Sequence, residues 1–358
     1  MKDDSRARPV AVALWAVLVA TIAVLLAIAH AAVSQPYLSL DALARFEERA
    51  PFQHRLLVPL LAAIGQVLTR WSTPTIYGVI EAFAWAALVL AATVIVRGLD
   101  RPHGWWTTRL AALTVVFPVS AELIWPSRFR VFAGLVPVGD INAVTRPFSR
   151  IVALPNLYYP WDVPSAAFVL LLMASVLRLR RAPTARHVVT YLVVAFIASL
   201  NRETTVLLVP LSVWALWGHW PTGRLIAFAA AQVIAWAGVM GAIAWSMQAP
   251  ANARATLPGS VYEWYLWTNL RTLTYPLYVL TTVVPLAAGA WLPALVYWRD
   301  APPAGHAIAI LYVAPAVLVA LAFGVLHETR IFTEAATALW VAALLAVHAR
   351  AMCQLQRT

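Results

Sequence analysis

The stretch 41–55, DALARFEERAPFQHR, brings three carboxylates, three guanidinium groups and an imidazole into fifteen residues. A carboxylate of Asp41, Glu47 or Glu48 is the type of group that takes a proton from an acceptor hydroxyl, and His54 with Arg55 is suited to holding a phosphate. The same spacing has a plainer use: on a short amphipathic helix Asp41 and Arg45 stand four residues apart, where opposite charges meet. Both readings stand at this point. Three more groups share the chemistry. Arg128, Arg130, Asp140, Arg146 and Arg150 lie in 126–160, and Arg128 and Arg146 are candidate anion contacts. Tyr158, Tyr159 and Trp161 follow, as an interfacial aromatic belt would supply, and then Asp162, which heads a helix as a cap or a substrate contact. Asn201, Arg202, Glu203 and Thr204 form a polar turn between two apolar segments, as do His327, Glu328, Thr329 and Arg330. Ionisable groups at such depth are costly and usually line a cavity or face a partner.

No His, Asp or Glu spacing matches a metal motif, no glycine-rich phosphate loop occurs, and no serine stands in a nucleophile elbow. A soluble nucleotide site is therefore not expected. The single cysteine, Cys353, excludes an intrachain disulfide and a cysteine-based metal site.

These side chains have to be positioned by membrane helices. With 62% hydrophobic and 11% charged residues and a mean hydropathy of +0.76, the chain is read as one all-α integral membrane domain over 1–358. A bilayer core needs roughly 20 apolar residues per helix. About ten spans are drawn, at 10–33, 74–96, 110–125, 161–177, 187–200, 203–217, 224–247, 272–298, 306–326 and 331–348. The apolar stretch 56–68 is only about half the length required and is read as a re-entrant or interfacial helix. The first span is too long for a cleaved signal and is expected to be retained.

Loops that alternate from the amino terminus hold 14 Lys or Arg against 4 Asp, so most of the net charge of +11 is explained by orientation, with both termini cytoplasmic. No nucleic-acid partner is implied. The external segments are then 34–73, 126–160 and 248–271 with the two polar turns, and all eleven remaining acids fall outside the cytoplasmic loops.

This layout, with Asp41, Glu47 and Glu48 after the first span, a half-length segment after PFQHRLLVPLL, paired short helices around NRET and the acid–arginine turn HETR, resembles the GT-C glycosyltransferases. It has neither an Asp-x-Asp pair nor a large soluble domain after the last span, as many members do. The resemblance implies a membrane glycosyltransferase in a bacterial plasma (inner) membrane. It would move a sugar from a polyprenyl-phosphate donor to an extracytoplasmic glycan, lipid or protein acceptor with inversion. Asp41, Glu47 or Glu48 would be the base. Arg55, Arg202 or Arg330 would stabilise the leaving phosphate, and His54, Arg128, Arg146, Asp162, Asn201, Glu203, His327 and Glu328 would complete the substrate site. No cofactor is required, although one or two carboxylates leave room for Mg²⁺ or Mn²⁺. Two other classes share the composition: a transporter or lipid flippase, and an integral membrane acyltransferase or polymer ligase with His54 or His327 as base.

Overall fold

The computed structural model describes residues 4–36, 39–47, 55–99, 104–124, 156–246, 265–274, 283–284, 286–324 and 329–356. In chain order, helix α1 (Asp4–Val33) runs into strand β1 (Ser34–Pro36), followed by α2 (Leu40–Ala44), α3 (Leu57–Thr69), α4 (Thr73–Arg97), α5 (Trp105–Leu113) and α6 (Val116–Leu123). Strand β2 (Asn156–Tyr158) pairs in parallel with β1, Ser34 opposite Asn156 and Pro36 opposite Tyr158. Then come α7 (Asp162–Arg181), α8 (Ala185–Asn201), a 3-10 turn (Glu203–Leu207), α9 (Leu208–Leu216), α10 (Thr222–Ser246), α11 (Leu266–Thr272) and a 3-10 turn (Leu286–Gly289). The last elements are α12 (Trp291–Val296), α13 (Pro303–Ile308), a π turn (Ala309–Val313), α14 (Ala314–Phe323) and α15 (Thr333–Leu355).

Among the described residues six helices are long and apolar enough to cross a membrane: Pro9–Val33, Thr73–Arg97, Asp162–Arg181, Thr222–Trp245, Pro303–Phe323 and Thr333–Leu355. This marks an integral membrane protein. The described residues bear out a helical membrane bundle but do not confirm a count of about ten spans. Leu57–Thr69, Ala185–Asn201 and Glu203–Leu216 are shorter, the last two on either side of Arg202. The expected span 110–125 belongs to two helices, because Pro118 has no N–H for the Thr114 carbonyl and its ring crowds it, so α5 ends at Leu113. Pro210 acts in the same way on Val206, and the chain is 3-10 up to Leu207 before α9 begins. The described part of 272–298 is not one helix either, since Ala287 and Ala288 are left-handed, at φ 54° and 52°.

Helix α7 is the most buried of the six long helices and packs on α4, α8, α9 and α15. Small residues are prominent among larger ones in this core: Ala166 and Ala167 on α7, Ala91 and Ala92 on α4, and Ala335, Ala338 and Ala342 on α15 all belong to it. Lipid supplies no hydrophobic drive between helices, so association there depends on close backbone approach and dispersion. Helices α1 and α10 lie at the periphery, with Val10, Val17, Leu25, Ile226 and Ile234 exposed.

The helix ends gather into two layers. One holds the end of α1, the starts of α3, α4, α7 and α15, and the end of α8. The other holds Arg97, Arg178, Arg180, Arg181, Arg224 and Arg350 with Asp300. The first layer is called the acid end below, and the second the basic end.

Candidate functional site

Helices α3 and α4 are joined by a tight turn in which Arg70 takes a left-handed conformation (φ 57°) and its N–H caps the Gln66 carbonyl. The turn brings Gln66 of α3 onto Thr73 of α4: the Gln66 amide donates to the Thr73 hydroxyl, which donates to Asp41. Asp41 itself is exposed, on α2, whose Ser39 caps it by accepting from the Ala42 N–H at 3.2 Å. Helix α2 closes with two characteristic bonds, Glu47 N–H to the Ala42 carbonyl (2.8 Å) and Phe46 N–H to the Leu43 carbonyl (3.1 Å), with Phe46 left-handed at φ 60° where glycine is usual. The expected Asp41–Arg45 pair does not form. α2 is only five residues long, and Arg45 turns to Glu47 at 2.9 Å in an exposed contact.

The second group surrounds Arg202. Asp162, fully buried at the first position of α7, lies 3.6 Å from the Arg202 guanidinium, and Glu334 of α15 lies 3.4 Å from it on the other side. Glu334 also accepts from the Thr204 hydroxyl at 2.7 Å and from Tyr312 at 3.4 Å, so the 3-10 turn and the π turn both serve it. One guanidinium thus stands between two buried carboxylates. Asn201 ties the end of α8 to the start of α7, donating to Ser165 Oγ at 2.8 Å and to the Trp161 carbonyl at 3.2 Å. Next to it, Arg55 stacks 4.8 Å from the Trp161 ring and reaches Glu203 at 3.6 Å. Trp236 of α10 holds the Glu203 backbone carbonyl at 2.8 Å. Tyr158, Tyr159 and Trp161 are buried, so they are not a solvent-facing belt. Tyr159 and Trp161 pack with Leu43, Val58, Ala62 and Tyr77 in a second core beneath α2 and α3.

A third group was not singled out from sequence. Glu81, two turns inside α4 and 1% exposed, accepts from Tyr158 (2.9 Å) and Trp85 (3.3 Å) and meets His30 Nδ1 at 2.8 Å. Burial, together with the Glu81 carboxylate, pushes the Tyr158 hydroxyl well above the ordinary phenol value, so it stays a donor. The signal was present: an acid inside one apolar span and a histidine in the last turn of another demand a partner.

Below these groups an apolar groove of about 500 Å³ runs between α3, α4 and α7, with Leu61, Ile76, Phe83, Ala87, Pro164 and Phe168 among its walls. Phe83 and Leu61 are exposed, so the groove opens to the lipid side. Several of its wall residues are close in sequence to the polar groups. Leu57 lies two residues from Arg55, Pro164 two from Asp162, and Trp71 two from Thr73, which holds Asp41.

Of the expected site residues, Asp41, Glu47, Arg55, Asp162, Asn201, Arg202 and Glu203 all lie at this end, and Glu47 alone is tied up in a surface pair. Glu48, His54, Arg128, Arg146, His327 and Glu328 fall outside the described residues, and of Arg330 only the backbone is described. Among the described residues no group of three or more His, Cys, Asp or Glu side chains is placed to hold a metal ion. No protein-family model matches the chain, and no curated protein matches it in sequence.

Proposed function

We propose that this protein is an integral membrane glycosyltransferase that moves a sugar from a polyprenyl-phosphate donor to an acceptor on the extracytoplasmic face. The observation that supports this most is an apolar groove on the outside of the bundle whose wall residue Leu57 stands two positions from a guanidinium, Arg55, at the end of the molecule that also holds an exposed carboxylate, Asp41. A ligand with an isoprenoid tail and an anionic head has both halves of its chemistry met there.

In the reaction, Asp41 takes the proton of the acceptor hydroxyl as that oxygen attacks the anomeric carbon. The bond from that carbon to the phosphate oxygen breaks, the phosphate leaves with the electron pair, and Arg55 offsets its charge. Arg202, held between Asp162 and Glu334, fixes the geometry of the turn that carries Glu203. Glu48, His54, Arg128, Arg146, His327, Glu328 and Arg330 are the further candidates for acceptor and phosphate contacts. The ten-span topology with cytoplasmic termini, which sets the acid end outside, belongs to the same proposal.

The test uses protein reconstituted in lipid with a panel of radiolabelled polyprenyl-phosphate sugars and with unsugared polyprenyl phosphate as a binding probe. Asp41→Asn should lose turnover while still binding the probe, and Arg55→Gln should bind it at least about tenfold more weakly, the effect of one lost charge-assisted hydrogen bond. Absence of probe binding to the wild type would sink the reading.

One observation favours a second reading, transport of a lipid-linked anion. The chain is interrupted at Ala287 and Ala288, whose left-handed turn is held by Glu122 accepting the Ala287 N–H at 2.7 Å, and broken helices beside buried charges are typical of transporters. Protein-dependent movement of the probe between leaflets without sugar transfer would decide for it.

A further inference from the structure

At the basic end, Arg109 of α5 is 6% exposed, yet its surroundings are aromatic and cationic. Its guanidinium lies 3.3 Å from the centroid of the Trp105 ring and 6.0 Å from that of Trp15 on α1. Its one hydrogen bond goes to the Trp105 carbonyl of its own helix, at 3.1 Å. The Nε–H is buried without an acceptor, and no carboxylate among the described residues pairs with this group. A like charge acts on it, that of Arg97 at the end of α4, the helix on which α5 packs. Cation–π contact offsets part of the cost of burying a guanidinium, but it leaves the Nε–H unmet and does nothing about Arg97.

The depth of the site is also informative. Trp15 is six residues inside the apolar run that starts at Pro9, roughly 9 Å along the helix, and so lies in the first quarter of that run, toward the basic end. Trp106, exposed and packed edge-on against Trp105 at 4.6 Å, adds a ring of the kind that sits at that level.

We propose that Arg109 and Arg97, framed by Trp15 and Trp105, bind the headgroup phosphate of an anionic phospholipid in the leaflet at the basic end. The phosphate accepts from the buried Arg109 Nε–H and supplies a counter-charge to both arginines. The two tryptophans orient the guanidinium, and the acyl chains run along the exposed face of α1. This site is independent of the proposed transferase and stands or falls without it.

The experiment is lipid titration of the intact protein in detergent, read by native mass spectrometry, with phosphatidylglycerol against phosphatidylcholine. The wild type should bind one phosphatidylglycerol in clear preference to phosphatidylcholine, and Arg109→Gln should weaken that binding at least about tenfold, as the loss of one charge-assisted hydrogen bond would. Arg97→Gln, at an exposed position, should weaken it by a smaller factor, and it decides the matter if Arg109→Gln does not fold. Arg45→Gln, at the opposite end, should bind as the wild type does. Equal affinity for the two lipids, or an unchanged preference in the folded arginine variants, would overturn the proposal. So would displacement of the lipid by inorganic phosphate at equal concentration, which would indicate a site for a soluble anion.

Discussion

The two ends of the bundle treat charge in opposite ways. At the acid end Glu81, Asp162 and Glu334 are buried, and each meets a basic group from another element at 2.8 to 3.6 Å. At the basic end the arginines reach outward: Arg181 donates to the Gly98 carbonyl at 2.7 Å, Arg224 to the Pro183 carbonyl at 3.1 Å, and Arg180 to His219 at 3.1 Å, all in exposed contacts. Arg109 is the exception. Burying an ion pair costs several kcal/mol of desolvation per ion, which the fold must recover elsewhere, whereas an exposed arginine near a headgroup layer costs little. The acid end is thus a prearranged polar interior, and the basic end is an anchor.

The sharpest way to break this contrast is to remove the shared cation. Arg202→Met leaves Asp162 and Glu334 facing one another and should cost about 3–5 kcal/mol, read from unfolding in detergent. Glu81→Leu should cost nearly as much, and the double variant His30→Leu/Glu81→Leu less than Glu81→Leu alone, because the second change removes the stranded partner. A change midway along α7 should weaken both ends alike: Ala174→Leu overfills the buried face of the helix and should cost about 1–3 kcal/mol. The smallest effects belong to exposed groups. Arg181→Ala and Glu47→Ala should each shift stability by no more than about 1 kcal/mol. An Arg181 effect equal to that of Arg202 would erase the distinction between the ends.

Much of the scaffold was legible because hydropathy and length are local properties. The spans read at 10–33 and 74–96 match Pro9–Val33 and Thr73–Arg97, and the half-length segment 56–68 is α3, Leu57–Thr69. The breaks were missed because a proline acts on the carbonyl four residues earlier, which hydropathy does not register, as at Pro118 and Pro210. Gathering at the site was partly legible: Asp41, Arg55, Asp162, Arg202 and Glu203 were picked for chemistry, and they share one end. Their partners were not legible, since Arg202 meets Glu334 across more than a hundred residues and Asp41 meets Thr73 through a turn whose path depends on Arg70. The aromatic run 158–161 was misjudged because a belt and a core use the same rings, and only packing separates them.

The central claim is that the acid end receives the anionic head of a lipid whose tail lies in the groove between α3, α4 and α7. A polyprenyl phosphate carrying a photoreactive group in its tail, cross-linked in vesicles and mapped by peptide sequencing, tests this directly. Labelling at Leu61, Phe83 and Phe168 that fades in Arg55→Gln is the predicted result. Labelling confined to α1 and α10, or unaffected by Arg55→Gln, would contradict it.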